Sequence, residues 1–177
     1  GELFEIDALD LSVNRILSLD NNINYRNAIH HSKVKPTWVT PHPNGKTLYV
    51  AGNGSDEILV VDLESFSVED KLSTGKGPYN LAVSPNGKIL LATLKSEGAV
   101  SIWSLKNNKL LKKIKNTTNI PHGVVISPDN KYAFVSVEGV GGEPGKVDVI
   151  NLETLSLQGS INVGKQAGGI AFWKIEQ

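Results

Sequence analysis

Three stretches of the chain decide the fold: PTWVTPHPNGKTLYV at residues 36–50, PYNLAVSPNGKILLA at 78–92 and PHGVVISPDNKYAFV at 121–135. They superpose without gaps and begin 42 and 43 residues apart. Each holds an apolar segment after a proline, a turn such as Pro-Asn-Gly, a lysine and a second apolar segment. Proline presets φ for a turn, and Asn or Gly accepts its left-handed corner. Each stretch is therefore predicted to be two antiparallel strands joined by a tight turn.

A second repeated block follows each of these strand pairs: ILVVDLESFSV from Ile58, VSIWSLKNNKL from Val100 and VDVINLETLSL from Val147. Apolar and polar residues alternate in these blocks, as in half-buried strands. A related block, ELFEIDALDLSV, begins at Glu2. The repeat is thus four strands in about 42 to 47 residues, with no helical periodicity. One such unit cannot bury both of its faces, so the sequence predicts an all-β stack of antiparallel four-stranded blades, a β-propeller.

The blade limits follow from the repeat. Two strands are predicted within residues 3–19, complete blades at 36–76, 78–117 and 121–164, and a lone inner strand at 167–175. Closed propellers have roughly 4 to 8 blades. The chain is therefore predicted to be a single propeller segment, belonging to a larger ring or to a ring that a second copy closes.

The repeat resembles that of a known family. The run Gly-x-x-Pro-x-x-[Val/Leu]-x-[Val/Ile]-Ser-Pro-[Asp/Asn]-[Gly/Asn]-Lys, followed by strands such as TLYVAGNGSDEILVVD, is similar to the YVTN-type β-propeller repeat. That family includes binding proteins, surface-layer proteins and cofactor-carrying periplasmic subunits. The resemblance, together with the absence of cysteine, implies a periplasmic or extracellular location.

Composition narrows the range of partners. The chain has 18 basic and 18 acidic residues, and its formal net charge is zero. Nucleic-acid binding needs a surplus of basic charge, so nucleic acid is not an expected partner. The chain has no cysteine, which removes thiolate metal sites and thiol catalysis. No apolar run reaches the roughly 20 residues of a membrane span.

One face of the predicted disc gathers the candidate binding residues. In a propeller the loops that enter the inner strands share a face, here called the top face, with the loops between second and third strands. The long loops 20–35 and 138–146 both lie there. Trp38, Tyr79 and His122 begin inner strands on the same face. We expect these three residues to contact a small ligand or a protein partner, which makes a non-catalytic binding protein the leading hypothesis.

A metal site is the alternative. His30, His31 and His122 are all assigned to the top face, and three imidazoles could bind copper, zinc or haem iron. The chain would then be a subunit of a periplasmic oxidoreductase or hydrolase. The simpler interpretation places His122 at the channel rim as a hydrogen-bonding group and the other two in a solvated loop, with no cofactor. His42 falls on the opposite face and is expected to be structural.

Catalytic residues are not predicted. The sequence lacks a G-x-S-x-G nucleophile motif, and no serine pairs convincingly with a histidine and an acid. A third hypothesis is a structural ring segment that serves as an assembly surface.

Overall fold

The computed structural model describes residues 1–20 and 32–174, and every regular element in these ranges is a β-strand. The first sheet has two strands, β1 (Glu2–Ile6) and β2 (Val13–Ser18). The strands of the second sheet are β3 (Pro36–Pro41), β4 (Thr47–Gly52), β5 (Glu57–Asp62) and β6 (Ser67–Ser73). Those of the third are β7 (Pro78–Val83), β8 (Ile89–Leu94), β9 (Ala99–Ser104) and β10 (Lys109–Lys115). Those of the fourth are β11 (Ile120–Ile126), β12 (Tyr132–Glu138), β13 (Lys146–Asn151) and β14 (Ser156–Asn162).

The sheets are blades of a propeller. In each one, strands consecutive in the chain pair antiparallel, and the three larger sheets have four strands in chain order. We name the sheets blades I to IV. The first strand of blade III, β7, contacts the first strands of both neighbouring blades, β3 and β11. The predicted all-β propeller is confirmed, with three complete blades and one partial blade. No described residue belongs to a helix able to cross a membrane.

Apolar side chains fill the space between successive blades. The three interfaces are formed by Leu3, Leu17 and Leu19 with Val50, Leu59 and Val61; by Tyr49, Ile58 and Val60 with Leu81, Leu90 and Trp103; and by Leu91, Val100 and Ile102 with Val124, Val135 and Ile150. Side chains alternate across a strand, so each blade sends one row to each neighbour. Burying one large aliphatic side chain contributes about 1.5 to 3 kcal/mol. Trp103 is buried in the core between blades II and III.

The repeated Pro-Asn-Gly-Lys turns share one hydrogen-bond pattern. A side-chain Oδ1 in each turn accepts the backbone N–H of the lysine two residues later, at 2.9, 3.0 and 3.1 Å. The residue between them is left-handed, with φ of 69°, 68° and 62°. The acceptors are Asn44, Asn86 and Asp129, and the left-handed residues are Gly45, Gly87 and Asn130. This pattern explains why the turn sequence recurs in every complete blade.

The turns between the third and fourth strands repeat a second pattern. Each places a residue at positive φ, namely Leu11 (62°), Phe66 (49°), Asn108 (53°) and Leu155 (50°). In blades I, II and IV the residue four positions earlier, Asp7, Asp62 or Asn151, accepts backbone N–H groups of its turn. Local hydrogen bonds therefore hold these three turns.

The predicted lone strand at 167–175 is wrong over its described part, because residues 167–174 form no strand. A strand needs a partner for its ladder of hydrogen bonds, and no described strand pairs along this segment. The start of the segment is still held against blade IV, because Gly168 O accepts the backbone N–H of Gly123 at 3.3 Å. Trp173 is 88% exposed, because the described residues provide no blade to cover it.

Both end faces of the stack are apolar. On blade I, Phe4, Ile6 and Ile16 alternate with the residues that pack on blade II, and each is about half exposed. On blade IV, Ile161 is 58% exposed and lies opposite Val147 on the face turned away from blade III. Such rows are the faces that a neighbouring blade covers in a ring.

Candidate functional site

A cavity of about 510 Å³ runs along the inner strands of blades II to IV. Its wall includes Trp38 from β3, Tyr79 from β7 and His122 from β11, so all three residues predicted to bind a ligand face the same space. Gly168 and Ile170 line it at the end of the chain. Three inner strands converge here because the blades pack face to face around one axis.

Trp38 is the exposed aromatic residue of this wall. Its side chain is 48% accessible, and it separates the main cavity from a second one of about 360 Å³ beside Leu3 and Leu19. The pairing of β3 with β4 shifts register between Pro36 and Trp38. A large ring left half open to solvent can stack on an apolar ligand.

Tyr79 lies between an imidazole and an ammonium group. Its ring meets the ring of His122 edge to face, with centroids 5.1 Å apart. The Nζ atom of Lys95 lies 4.5 Å from the centroid of the Tyr79 ring. Cations are attracted to the negative face of an aromatic ring, so this contact fixes the lysine at the edge of the cavity.

His122 contacts an acid that the sequence reasoning missed. Its Nε2 lies 2.7 Å from Glu138 Oε1, yet the two groups are not aligned as a hydrogen bond, and this buried nitrogen has no hydrogen-bond partner. Burial, reinforced by the charge of Lys95, lowers the pKa of His122, and the opposing effect of Glu138 is smaller. The lowered pKa favours the neutral form of the imidazole.

Hydroxyl groups bridge neighbouring inner strands at the cavity mouth. Thr37 Oγ1 donates to Tyr79 O, and Thr93 Oγ1 donates to His122 O, both at 2.8 Å. Ser136 Oγ donates in the same way to Gly168 O. Thr93 also accepts the backbone N–H of Asn80, at 3.0 Å. The first two bridges fix the starts of β7 and β11 against the preceding blade, and the third holds Gly168 against blade IV.

Carboxylates on the same face hold the loop between blades II and III. Asp56 accepts the backbone N–H of Gly77 and binds Lys76 Nζ, both at 2.9 Å, and these contacts lower the pKa of Asp56. Glu97 binds Lys113 Nζ at 2.7 Å and accepts the N–H of Lys76. The loop is thus tied to the blades on both sides.

The predicted metal ligands do not form a described site. His30 and His31 lie outside the described residues, so their part in a metal or haem site stays a prediction. Among residues 1–20 and 32–174, no three His, Cys, Asp or Glu side chains are grouped as a metal site. His42 lies on the opposite face, where Asn44 N donates to its Nδ1 and its Nε2 lies 3.0 Å from Gly87 O. It ties the turns of blades II and III together, as expected of a structural residue.

Lys95 and Glu138 are charged residues of this site, and the two occupy the same position of the sequence repeat. Lys95 directly follows β8, Glu138 is the last residue of β12, and Asn53 occupies the matching position of the repeat in blade II. A polar residue repeated at the top-face end of this strand lies close to the start of the paired inner strand. The repeat alignment therefore contains the signal that points to Lys95 and Glu138.

Similar proteins are found among both sequences and solved structures. Protein groucho of Drosophila melanogaster is 33% identical over 90 residues, which is 49% of this chain and 12% of that protein. TSET complex member tstE of Dictyostelium discoideum is 30% identical over 105 residues, 53% of this chain and 8% of that protein. The chain thus spans a small part of either relative. Hydrazine synthase of Kuenenia stuttgartiensis superposes with a TM-score of 0.71 and 25% identity, over 82% of this chain and 40% of that one.

A family match covers most of the repeat. The model for the lactonase, 7-bladed β-propeller family matches residues 21–141, which include blades II and III and the start of blade IV. This agrees with the propeller topology and confirms the resemblance to YVTN-type propellers. The chain belongs to the lactonase, 7-bladed β-propeller family.

Proposed function

We propose that the chain is a binding propeller whose top face and inner cavity hold a protein partner or a small ligand. The observation that carries the proposal is the shared cavity wall of Trp38, Tyr79 and His122. Exposed aromatic residues beside a polar group are typical of binding hot spots. The Dictyostelium relative is by name a member of a protein complex, which supports an assembly role.

A photo-crosslinking residue placed at Trp38 tests this proposal. The matched control carries the same residue at Lys46, in the turn between β3 and β4 at the opposite end of blade II. We expect one specific adduct from position 38 and none from position 46. The reverse pattern, or equal labelling at both positions, would reject the top face as the binding surface.

Once a partner has been purified, its affinity for variants of the chain tests the proposal further. Trp38→Ala should weaken binding by about tenfold or more, as truncation of an aromatic hot spot does. Because Trp38 is half exposed, the thermal midpoint should change little. A large loss of stability without a loss of affinity would instead make Trp38 a packing residue.

The apolar end faces support a second part of the proposal, which concerns assembly. We propose that further blades of the same propeller cover Phe4, Ile6 and Ile16 at one end and Ile161 at the other. The family is described as seven-bladed, whereas the described residues form three complete blades and one partial blade. A second copy in place of further blades would appear in light scattering as a dimer that dissociates on dilution.

A periplasmic or extracellular location remains part of this proposal, and fractionation of the source cells tests it.

A second candidate function is lactone hydrolysis. It is favoured by the contact of Glu138 with His122, which lines the cavity, in a chain whose family is named for lactonases. With Glu138 beside Nε2, the other ring nitrogen would be the base. His122 Nδ1 would take a proton from water as the water oxygen attacks the lactone carbonyl carbon. The ring C–O bond then breaks, and the proton returns to the departing alkoxide to give a hydroxy acid.

Titration of the acid released from glucono-δ-lactone measures this activity. Acceleration above the spontaneous rate that His122→Gln abolishes would establish it. An absent acceleration, or one that His122→Gln retains, would reject it and leave the binding role standing.

A further inference from the structure

Lys95 carries a charge at the edge of the cavity that the fold does not neutralise. Its Nζ lies over the Tyr79 ring, and it forms no ion pair with any residue in the described ranges. Neighbouring lysines on the same face behave differently, because Lys76 binds Asp56 and Lys113 binds Glu97. The side chain of Lys95 is only partly exposed, so its position is defined by packing.

None of the ion pairs among the described residues includes Lys95. Glu138 on the adjacent blade lies within ion-pair distance of His122. The charge of Lys95 is one of the causes that lower the pKa of His122, so its field reaches the neutral imidazole. The ammonium group of Lys95 therefore lies over the ring of Tyr79, which lines the same cavity as Trp38.

We propose that Lys95 binds a carboxylate whose apolar body lies against Tyr79 and Trp38. This inference deepens the proposed binding function and rests on it. The carboxylate belongs either to a small organic acid or to an acidic side chain of a partner protein, and the chemistry is the same in both cases. One ammonium matches one carboxylate, and the strength of such a pair rises as solvent is excluded by the ligand's apolar part.

A phosphate ligand fits this site less well. Phosphate carries a charge of about −2, and its binding sites surround it with several donors, such as arginine side chains or the N–H groups of a helix end. The cation recorded against the Tyr79 ring is the ammonium group of Lys95, and the carboxylate of Glu138 lies beside His122 in the cavity wall. A monoanion meets less repulsion there than a dianion.

Two matched pairs of probes test the proposal. The first is phenylacetate with phenylacetamide, and the second is N-acetyl-Phe-Asp-amide with N-acetyl-Phe-Asn-amide. Each pair differs in the charge of one group while its aromatic body is unchanged. Chemical shifts of the Trp38 indole and the Tyr79 ring, followed by NMR, report both the place and the strength of binding. Tighter binding of phenylacetate would identify a free acid as the source of the carboxylate. Tighter binding of N-acetyl-Phe-Asp-amide would identify an acidic side chain.

Three variants of the protein complete the experiment. Lys95→Gln should weaken each carboxylate by about fivefold, the effect of one partly exposed ion pair, and leave the amides unchanged. Lys95→Arg should restore the preference. Lys88→Gln removes a lysine at the opposite end of blade III, next to the turn between β7 and β8, and should change nothing.

The outcomes separate this inference from the proposed function. If Lys95→Gln binds phenylacetate as tightly as the unchanged protein, while Trp38→Ala weakens acid and amide alike, the surface binds ligands but Lys95 does not select them. If the amides bind as tightly as the acids, the carboxylate assignment is wrong. If no probe shifts the Trp38 or Tyr79 resonances, the inference is also wrong, and the crosslinking result alone then decides the proposed function.

Discussion

The hydroxyl group of Thr93 in blade III donates a hydrogen bond of 2.8 Å to the main-chain oxygen of His122 in blade IV. The same oxygen of Thr93 accepts the N–H of Asn80 at 3.0 Å. One fully buried side chain thus joins two inner strands at the mouth of the candidate site. Ser136 repeats the arrangement one blade later with Gly123 and Gly168.

Thr93→Val should destabilise the protein by about 2 kcal/mol, because it keeps the volume of the side chain and leaves a buried N–H and a buried carbonyl without their partner. Urea unfolding measures the change. Thr93→Ser is the matched control, since it keeps the hydroxyl and loses only a methyl group, at a cost of about 1 kcal/mol. Equal losses for the two variants would show that packing, and not hydrogen bonding, is what Thr93 contributes.

Stability should depend on pH through His122. Burial lowers the pKa of this imidazole in the folded protein, so the unfolded chain binds the proton more readily. The contribution is fully present above the unfolded pKa of about 6.5 and is lost as pH falls from there toward the lower folded pKa. Thermal unfolding between pH 7.5 and 5 should therefore show a declining midpoint that His122→Gln flattens. A decline of the same slope in His122→Gln would assign it to other groups.

Leu11→Asn should stabilise the protein by roughly 1 kcal/mol. Leu11 holds a φ of 62° in the turn between β1 and β2 and is 75% exposed, so its side chain gains little from packing. Asn tolerates this left-handed conformation better than Leu does. Leu9→Asn, in the same turn and 96% exposed without a positive φ, should have no comparable effect. Chemical denaturation of both variants provides the comparison.

Ile16→Lys should reduce self-association of the chain of residues 1–177. Ile16 is 58% exposed on the apolar end face of blade I, opposite Phe4. A charge there cannot be covered by another apolar surface without loss of its hydration. Light scattering across a concentration series reports the change, and Leu9→Lys adds the same charge in a turn as a control. Self-association that Ile16→Lys leaves intact would place the contact elsewhere.

Local sequence was sufficient to predict the blades. The Pro-Asn-Gly-Lys turns and the alternating strands are fixed by contacts within one repeat, such as Asn86 with Lys88, so the spacing of motifs translates directly into strand order. The lone strand expected at 167–175 failed for the complementary reason. A strand is stabilised by its neighbour, and residues 167–174 have no ladder partner among the described residues.

The sequence by itself determined that the chain is a repeated all-β propeller and that Trp38, Tyr79 and His122 begin its inner strands, because repeats and turns are short-range properties. Only the tertiary structure decided that Lys95 lies over Tyr79 and that Glu138 faces His122. These contacts depend on how blades III and IV pack and on the strand register near Pro121, which shifts before Val124. Distances between side chains on separate strands are set by that packing, and motif spacing along the chain carries no record of them.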